Sequence, residues 1–210
     1  MAIPPKEEVL KDIKAGKSLV EADLSWVDLS GEDLRHLDLR GVTFTGANLS
    51  DCDLREANLA GAFLPEADLQ RSNLSKCNLR NAFFQKCNLQ KAILDEADIS
   101  EASFPLADLT NAKLMNIIAC YASFIDATIN SVDFTGADLS HTVFRGASLR
   151  NAIFHHVNLS YSDLRKAKLI DASFDSVQAE GVLFYGKRPW DGQSDKSTNW
   201  KDILPFSEAD

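Results

Sequence analysis

Residues 97–116 read Ala97-Asp98-Ile99-Ser100-Glu101, Ala102-Ser103-Phe104-Pro105-Leu106, Ala107-Asp108-Leu109-Thr110-Asn111, Ala112-Lys113-Leu114-Met115-Asn116. Every fifth residue is large and apolar, and an alanine stands two places before it. Extended in both directions, the step of five covers 34 positions from Leu19 to Phe184. Only Ala119 and Ala179 among them are not Leu, Ile or Phe. No insertion breaks the register. The large residue is termed the centre and the residue two before it the companion. Alanine fills 18 of the 33 companion positions from Ala22 to Val182, and Cys52, Cys77, Cys87, Val27 and Thr142 are typical of the rest.

A period of five fits neither a helix at 3.6 nor a strand at 2. Companion and centre, two apart, point the same way in extended backbone, so the next three residues turn a corner. Eight of the ten glycines fall two after a centre, among them Gly31, Gly41, Gly46 and Gly136, where a corner needs backbone angles that glycine tolerates. Each pentapeptide is one short extended side plus one corner. Every fourth centre reads Phe44, Leu64, Phe84, Phe104, Phe124, Phe144, Leu164, Phe184, whereas the set one side later contains no phenylalanine. A coil of 20 residues and four sides explains this, and it predicts one continuous internal stack of Phe44, Phe84, Phe104, Phe124, Phe144 and Phe184.

Segments such as Ala22-Asp23-Leu24-Ser25-Trp26, Ala107-Asp108-Leu109-Thr110-Asn111 and Ala137-Asp138-Leu139-Ser140-His141 resemble the pentapeptide-repeat family, whose pattern is A(D/N)LXX. The resemblance implies an all-β fold, a right-handed quadrilateral parallel β-helix. Residues 17–186 then form about 8.5 coils, a rod of roughly 41 Å at the spacing of paired strands. Residues 1–16 read as a short helix capping the first coil: proline at the first turn, acids following, Val9 and Ile13 on one face near Leu10, and Gly16 at the stop. Residues 187–210 form an irregular tail whose aromatics act either as a lid on the last coil or as an end-to-end dimer contact.

The chain has 210 residues with 22 Lys and Arg against 31 Asp and Glu, a net charge of −9. That balance excludes a general nucleic-acid binder, which needs a basic surface to displace phosphate counterions. No apolar run approaches the roughly 18–20 residues of a membrane span, and the first residues carry no basic-then-apolar leader. Four cysteines without a Cys-x-x-Cys pair predict reduced thiols and a cytoplasmic protein. The four histidines show no metal-ligand spacing, no glycine-rich phosphate loop is present, and no cofactor is expected. Catalysis needs converging groups, and the pattern offers none. Cys52, Cys77 and Cys87 read as small buried thiols, and Cys120, just after a centre, as the more exposed one. The Asp or Asn before most centres reads as a structural ladder.

The expected function is therefore that of a non-enzymatic module presenting flat walls to a protein partner. Three surfaces are candidates. Phe63, Phe83, Pro65, Pro105, Leu106 and Ile125 are predicted to point outward as an apolar contact strip, or to stabilise their wall by stacking. Asp95, Glu96, Asp98 and Glu101 form the densest stretch of an acidic edge carrying −7 of the solenoid's −8. Tyr121, His141 and Tyr161 lie at successive coils along one corner, as a recognition stripe or a stacked corner. The family resemblance adds two alternatives: a DNA-mimicking regulator of DNA gyrase and topoisomerase IV, as in the quinolone-resistance members, and a scaffold of a bacterial secretion cluster. Duplex of the same length would carry about 24 charges, and the register has none of the projecting loops of the plasmid-borne members.

Overall fold

The computed structural model describes residues 3–185, and the expected lid or dimer contact of the tail lies outside them. One helix, α1 (Lys6–Lys14), precedes a coil that returns over itself every 20 residues. Two short strands, β1 (Ile153–His155) and β2 (Ser173–Asp175), pair in parallel with Phe154 over Phe174. Everywhere else the pairing is a single parallel bridge at the residue before each centre. These bridges form four columns. Column A runs from Asp38 to Gln178, column B from Asp23 to Leu183, column C from Asp28 to Lys168, and column D from Asp33 through β1 to β2. The outward residues flanking each column are called its face. Column B spans eight coil steps, about 38 Å.

The five-residue unit follows from closing the backbone account. In Ala107–Asn111, the Ala107 N–H donates to the previous centre, Phe104 O (3.2 Å), Asp108 N–H to Cys87 O (2.9 Å), Leu109 N–H to Thr128 O (2.7 Å) and Asn111 N–H to Asn130 O (2.9 Å). Four of five donors thus go to main-chain carbonyls. The fifth, on Thr110, goes to the Asp108 carboxylate (2.9 Å). The residue before the centre is Asp or Asn because its short side-chain oxygen reaches the N–H two residues on. The same bond recurs at Asp28–Ser30, Asn48–Ser50, Asp98–Ser100 and Asn158–Ser160.

The corner is equally regular. All 33 residues lying two after a centre, from Glu21 to Gly181, have φ between +52° and +75°. Glycine is thus favoured there but not required: most of these positions hold Glu, Lys, Asn, Asp, His, Ser or Tyr, and none holds Val, Ile or Thr. A β-branched side chain is the least tolerant of left-handed backbone.

Centres and companions fill the interior, and nearly all are buried. Phe84, Phe104, Phe124 and Phe144 stack with centroids 4.6, 4.8 and 5.2 Å apart. The predicted continuous stack is shorter than expected, because Leu64 separates Phe44 from Phe84 and Leu164 separates Phe144 from Phe184. A second stack, Phe134–Phe154–Phe174, stands in column D at 5.3 and 4.7 Å. It meets the first edge-on at Phe134–Phe144, 6.1 Å. Ala119, small at a centre, is compensated by Ile117 at the companion position, and both are buried. Companion thiols and hydroxyls find carbonyls one coil back: Cys52, Cys77 and Cys87 donate to Leu29, Leu54 and Leu64 O at 2.7–2.9 Å, and Thr142 to Ala119 O at 2.9 Å.

Helix α1 covers the first coil. Val9 is buried, and Leu10 and Ile13 pack against the core. Gly16 at φ +68° ends the helix with Gly16 N–H to Ile13 O and Lys17 N–H to Asp12 O, both 3.0 Å, the paired bonds of a Schellman stop. Lys6 pairs with Glu32 of the coil at 2.6 Å. The helix that the sequence predicts, and its apolar face, are both present.

Candidate functional site

The Asp/Asn ladder fails on one face for six consecutive coils. Column B carries Thr43, Phe63, Phe83, Ser103, Ser123 and Val143 where Asp or Asn would hold the turn. On faces A, C and D such losses come singly or in short runs, as at Ile118, at Ile93 and Lys113, or at Thr128, Ser148 and Lys168. At two of these losses a substitute appears. Met115 N–H, which follows Lys113, donates to Asp95 Oδ1 of the coil below (2.9 Å), and Arg150 N–H, which follows Ser148, donates to Asn130 Oδ1 (3.1 Å). On face B the donor itself is removed twice: Pro65 follows Phe63 and Pro105 follows Ser103, and proline has no N–H. Each such turn bond is worth roughly 0.5–1.5 kcal/mol. Face B forgoes them in a block.

What replaces them is uncharged. From Thr43 to Ile125, both outward positions of face B, before and after each centre, carry no ionised group, and after the next centre Arg145 pairs with Asp163. Phe63 and Phe83 stack at 5.3 Å and 7°. Phe63 is 44% exposed, Leu106 at the adjoining corner 52% and Ile125 38%, while Phe83 and Pro105 are half-buried. Pro65 is a correction to the expected strip: it is buried. It sits in the turn between Thr45 and Gln85, joined to the coil below by Gly46 N–H to Pro65 O, 2.8 Å, and its short ring folds back on its own backbone. Alternation of in and out holds along the extended side but not into the corner. Above Val143 the face is closed by an ion-pair cluster in which Asp163 accepts from Arg165 (2.7 Å) and Arg145 (3.1 Å). The guanidinium of Arg165 is the main cause that lowers the buried Asp163 carboxyl to about 2.

The acidic edge is present in sequence but internally paired. Asp98 accepts from Arg80 (3.1 Å) and Ser100, Glu101 also faces Arg80 (3.5 Å), and Glu96 faces Lys76 (3.7 Å). Asp95 serves the Met115 turn. Farther down, Arg35 bridges Asp33 and Asp53, Arg55 holds Asp53, and Arg40 holds Asp38. Hydrogen bonds from Ser100 and Arg80 keep the Asp98 carboxyl below its ordinary value despite the opposing effect of partial burial.

Tyr121, His141 and Tyr161 stack along the corner between faces A and B, at 4.6 and 5.1 Å. Tyr121 is 62% exposed, and the Tyr161 hydroxyl donates to Glu180 at 2.8 Å. Cys120 lies beside this corner and is half-buried, 3.4 Å from both Asp138 Oδ2 and Ser140 Oγ. Burial, helped by Asp138, pushes its thiol upward, so Cys120 is less prone to form thiolate than an exposed cysteine. Burial pushes Cys52 to about 11 and Cys77 and Cys87 to about 12. Among the described residues no three His, Cys, Asp or Glu side chains gather as metal ligands, and no helix is long and apolar enough to cross a membrane.

The family model for pentapeptide repeats matches this chain in eight copies, over residues 18–55, 52–90, 84–118, 122–160 and 147–184. No curated protein matches it. Among solved structures, the chain is similar to HetL, a pentapeptide repeat protein involved in heterocyst differentiation regulation from the cyanobacterium Nostoc sp. strain PCC 7120. Identity is 26% over 84% of this chain and 91% of that one, with a TM-score of 0.41. It is also similar to full-length QnrB1, a plasmid-mediated fluoroquinolone resistance protein, at 19% identity over 78% and 93% of the two chains, TM-score 0.38. A third similarity is to a pentapeptide repeat protein of the Arabidopsis thaliana thylakoid lumen, at 29% identity over 50% and 66%, TM-score 0.31.

Proposed function

The chain belongs to the pentapeptide-repeat family, and from that premise we propose that it is a non-enzymatic interaction module, a rigid four-sided, right-handed rod whose face B meets a protein partner. The observation that carries this reading is the block loss of the Asp/Asn ladder from Thr43 to Val143. Where a chain breaks its own local rule over six consecutive coils of one face and over at most three on any other, the longest break marks function rather than fold. An uncharged strip with exposed Phe63, Leu106 and Ile125 on a protein of charge −9 suits a contact with another protein. The four free thiols suit a reducing compartment such as the cytoplasm.

The DNA-mimic alternative draws less support. A duplex substitute needs a dense unpaired negative field, and Arg35, Arg40, Arg55, Lys76 and Arg80 spend the acidic edge on internal pairs. Supercoiling by purified gyrase is expected to be unchanged at micromolar protein.

Affinity capture with wild type, Phe63→Ser/Phe83→Ser, Ser103→Arg and the face C control Thr110→Arg tests the reading. Loss of the same bound protein in the first two variants, with retention by Thr110→Arg, supports face B. Equal capture by all four overturns it.

A further inference from the structure

We propose that the occupant of face B is a single amphipathic α-helix of a protein partner, about 16 residues long, with small and apolar side chains toward the rod and basic side chains at its margins. This rests on the contact function proposed above and names the chemistry of the partner.

The backbone of the face selects a helix over a strand. Phe63 N–H donates to Val42 O, Phe83 N–H to Ala62 O and Ser103 N–H to Ala82 O, each at 2.9 Å. The carbonyls of Phe63 and Phe83 accept from Phe44 and Leu64 at 2.7 and 2.8 Å. The main chain before each centre is therefore spent inside the rod, and the turn N–H groups of Thr45, Gln85 and Ile125, which have no acceptor among the described residues, stand two coils apart, about 9.6 Å, too widely spaced to pair with a strand. An extended peptide laid on it would bury its own N–H and C=O groups without partners. A helix brings its backbone bonds already made.

Size selects one helix over a folded domain. Thr43 to Val143 spans five coil steps, about 24 Å at strand spacing, which matches about 16 residues at 1.5 Å each. The strip is about as wide as one helix, ~10 Å, so it presents on the order of 250 Å², far below the ~800 Å² per partner of a stable interface between folded proteins. A second copy of this rod does not find enough area here.

The margins set the sign of the partner. Glu101 lies at the corner on the A side and Asp126 at the corner on the C side, next to Ser103 and Ile125. Glu101 shares Arg80 with Asp98, so one cation serves two carboxylates, and no cation pairs with Asp126 among the described residues. Glu66 and Lys86 offset each other at 3.8 Å. The exposed Tyr121 and His141 rings on the A side add a surface on which arginine stacks. Lys or Arg flanking an apolar stripe therefore complements the face, and Glu does not.

The test is fluorescence anisotropy of the full chain with four labelled 18-residue peptides. One carries a Leu/Ala stripe with Lys and Arg margins, the second the same stripe with Glu margins, and the third a scrambled stripe. The fourth is the first with two central prolines. The first is expected to bind at least tenfold more tightly than the others. Phe83→Ser and Leu106→Ser should each weaken it about tenfold while the circular dichroism of the folded coil is retained. Glu101→Lys/Asp126→Lys should erase its advantage over the Glu-margined peptide. Equal binding of the proline peptide, or indifference to Phe83→Ser, overturns the proposal. If no helical peptide binds but a cross-linker at Ser103 captures a non-helical segment, the helix is overturned and the contact face stands. If a cross-linker there captures nothing, both fall.

Discussion

The N–H of the residue following each centre is the group on which much of this molecule turns. It is the one donor per pentapeptide that the main chain does not satisfy, and Asp or Asn two residues back supplies the acceptor. Asp108 holds Thr110 N–H and its hydroxyl, and also accepts from Gln90 of the coil below (2.7 Å). Asp108→Ala should therefore cost about 1–2 kcal/mol in chemical denaturation. The reverse change on face B, Ser123→Asn, supplies Ile125 N–H with an acceptor and should add about 0.5–1 kcal/mol, while weakening partner binding. A stabilised protein with undiminished binding would show that face B is only a wall. Ser162 gives a separate check. Its hydroxyl is buried with no hydrogen-bond partner among the described residues, so Ser162→Ala should raise stability by about 1 kcal/mol. The ladder is legible in the sequence as Asp or Asn before each centre. Its absence on face B is legible too, but only after the donor it serves is known. The misplacement of Pro65 has the same origin, since an in–out alternation says nothing about a residue inside the turn.

At the scale of elements, the cap and the aromatic stacks show where pattern reading succeeds and stops. Helix α1 is readable from Val9, Leu10, Ile13 and Gly16 because a helix start, stripe and stop are local signals. The Phe84–Phe144 stack is readable from the 20-residue register. The Phe134–Phe154–Phe174 stack lies in the same register, but its column begins with Leu34, Leu54, Leu74, Leu94 and Leu114, which mask it. The Ile117–Ala119 exchange is readable only as a pair, because volume is conserved across two positions rather than at one. The cluster that closes face B has a pH signature. Asp163 falls from an ordinary 3.8 to about 2, chiefly through the Arg165 guanidinium. Its folded form is depressed, so its contribution is complete above pH 4 and is lost as pH falls toward 2. The gap corresponds to about 2 kcal/mol. Urea midpoints of wild type and Asp163→Asn should differ at pH 6 and converge near pH 2. A constant difference across that range would assign the cost to packing instead.

For the whole molecule, stability is a sum over neighbouring coils, and each coil step adds one pairing in each of the four columns. Such a scaffold leaves its faces free to vary as long as the interior and the turn account are kept. Three faces keep most of the account with Asp or Asn, or at Met115 and Arg150 with a cross-coil acceptor, and many of their charges are matched internally. The fourth gives it up for a flat uncharged strip. Photo-cross-linking in the native host tests this division most directly, with benzoylphenylalanine placed in turn at Ser103 on face B, Thr110 on face C, Thr135 on face D and Ser140 on face A. The account predicts one partner adduct, from Ser103, at several times the yield of the other three sites. Adducts of equal yield from all four, or the dominant adduct from Thr135 or Ser140 beside the acidic edge, would contradict it.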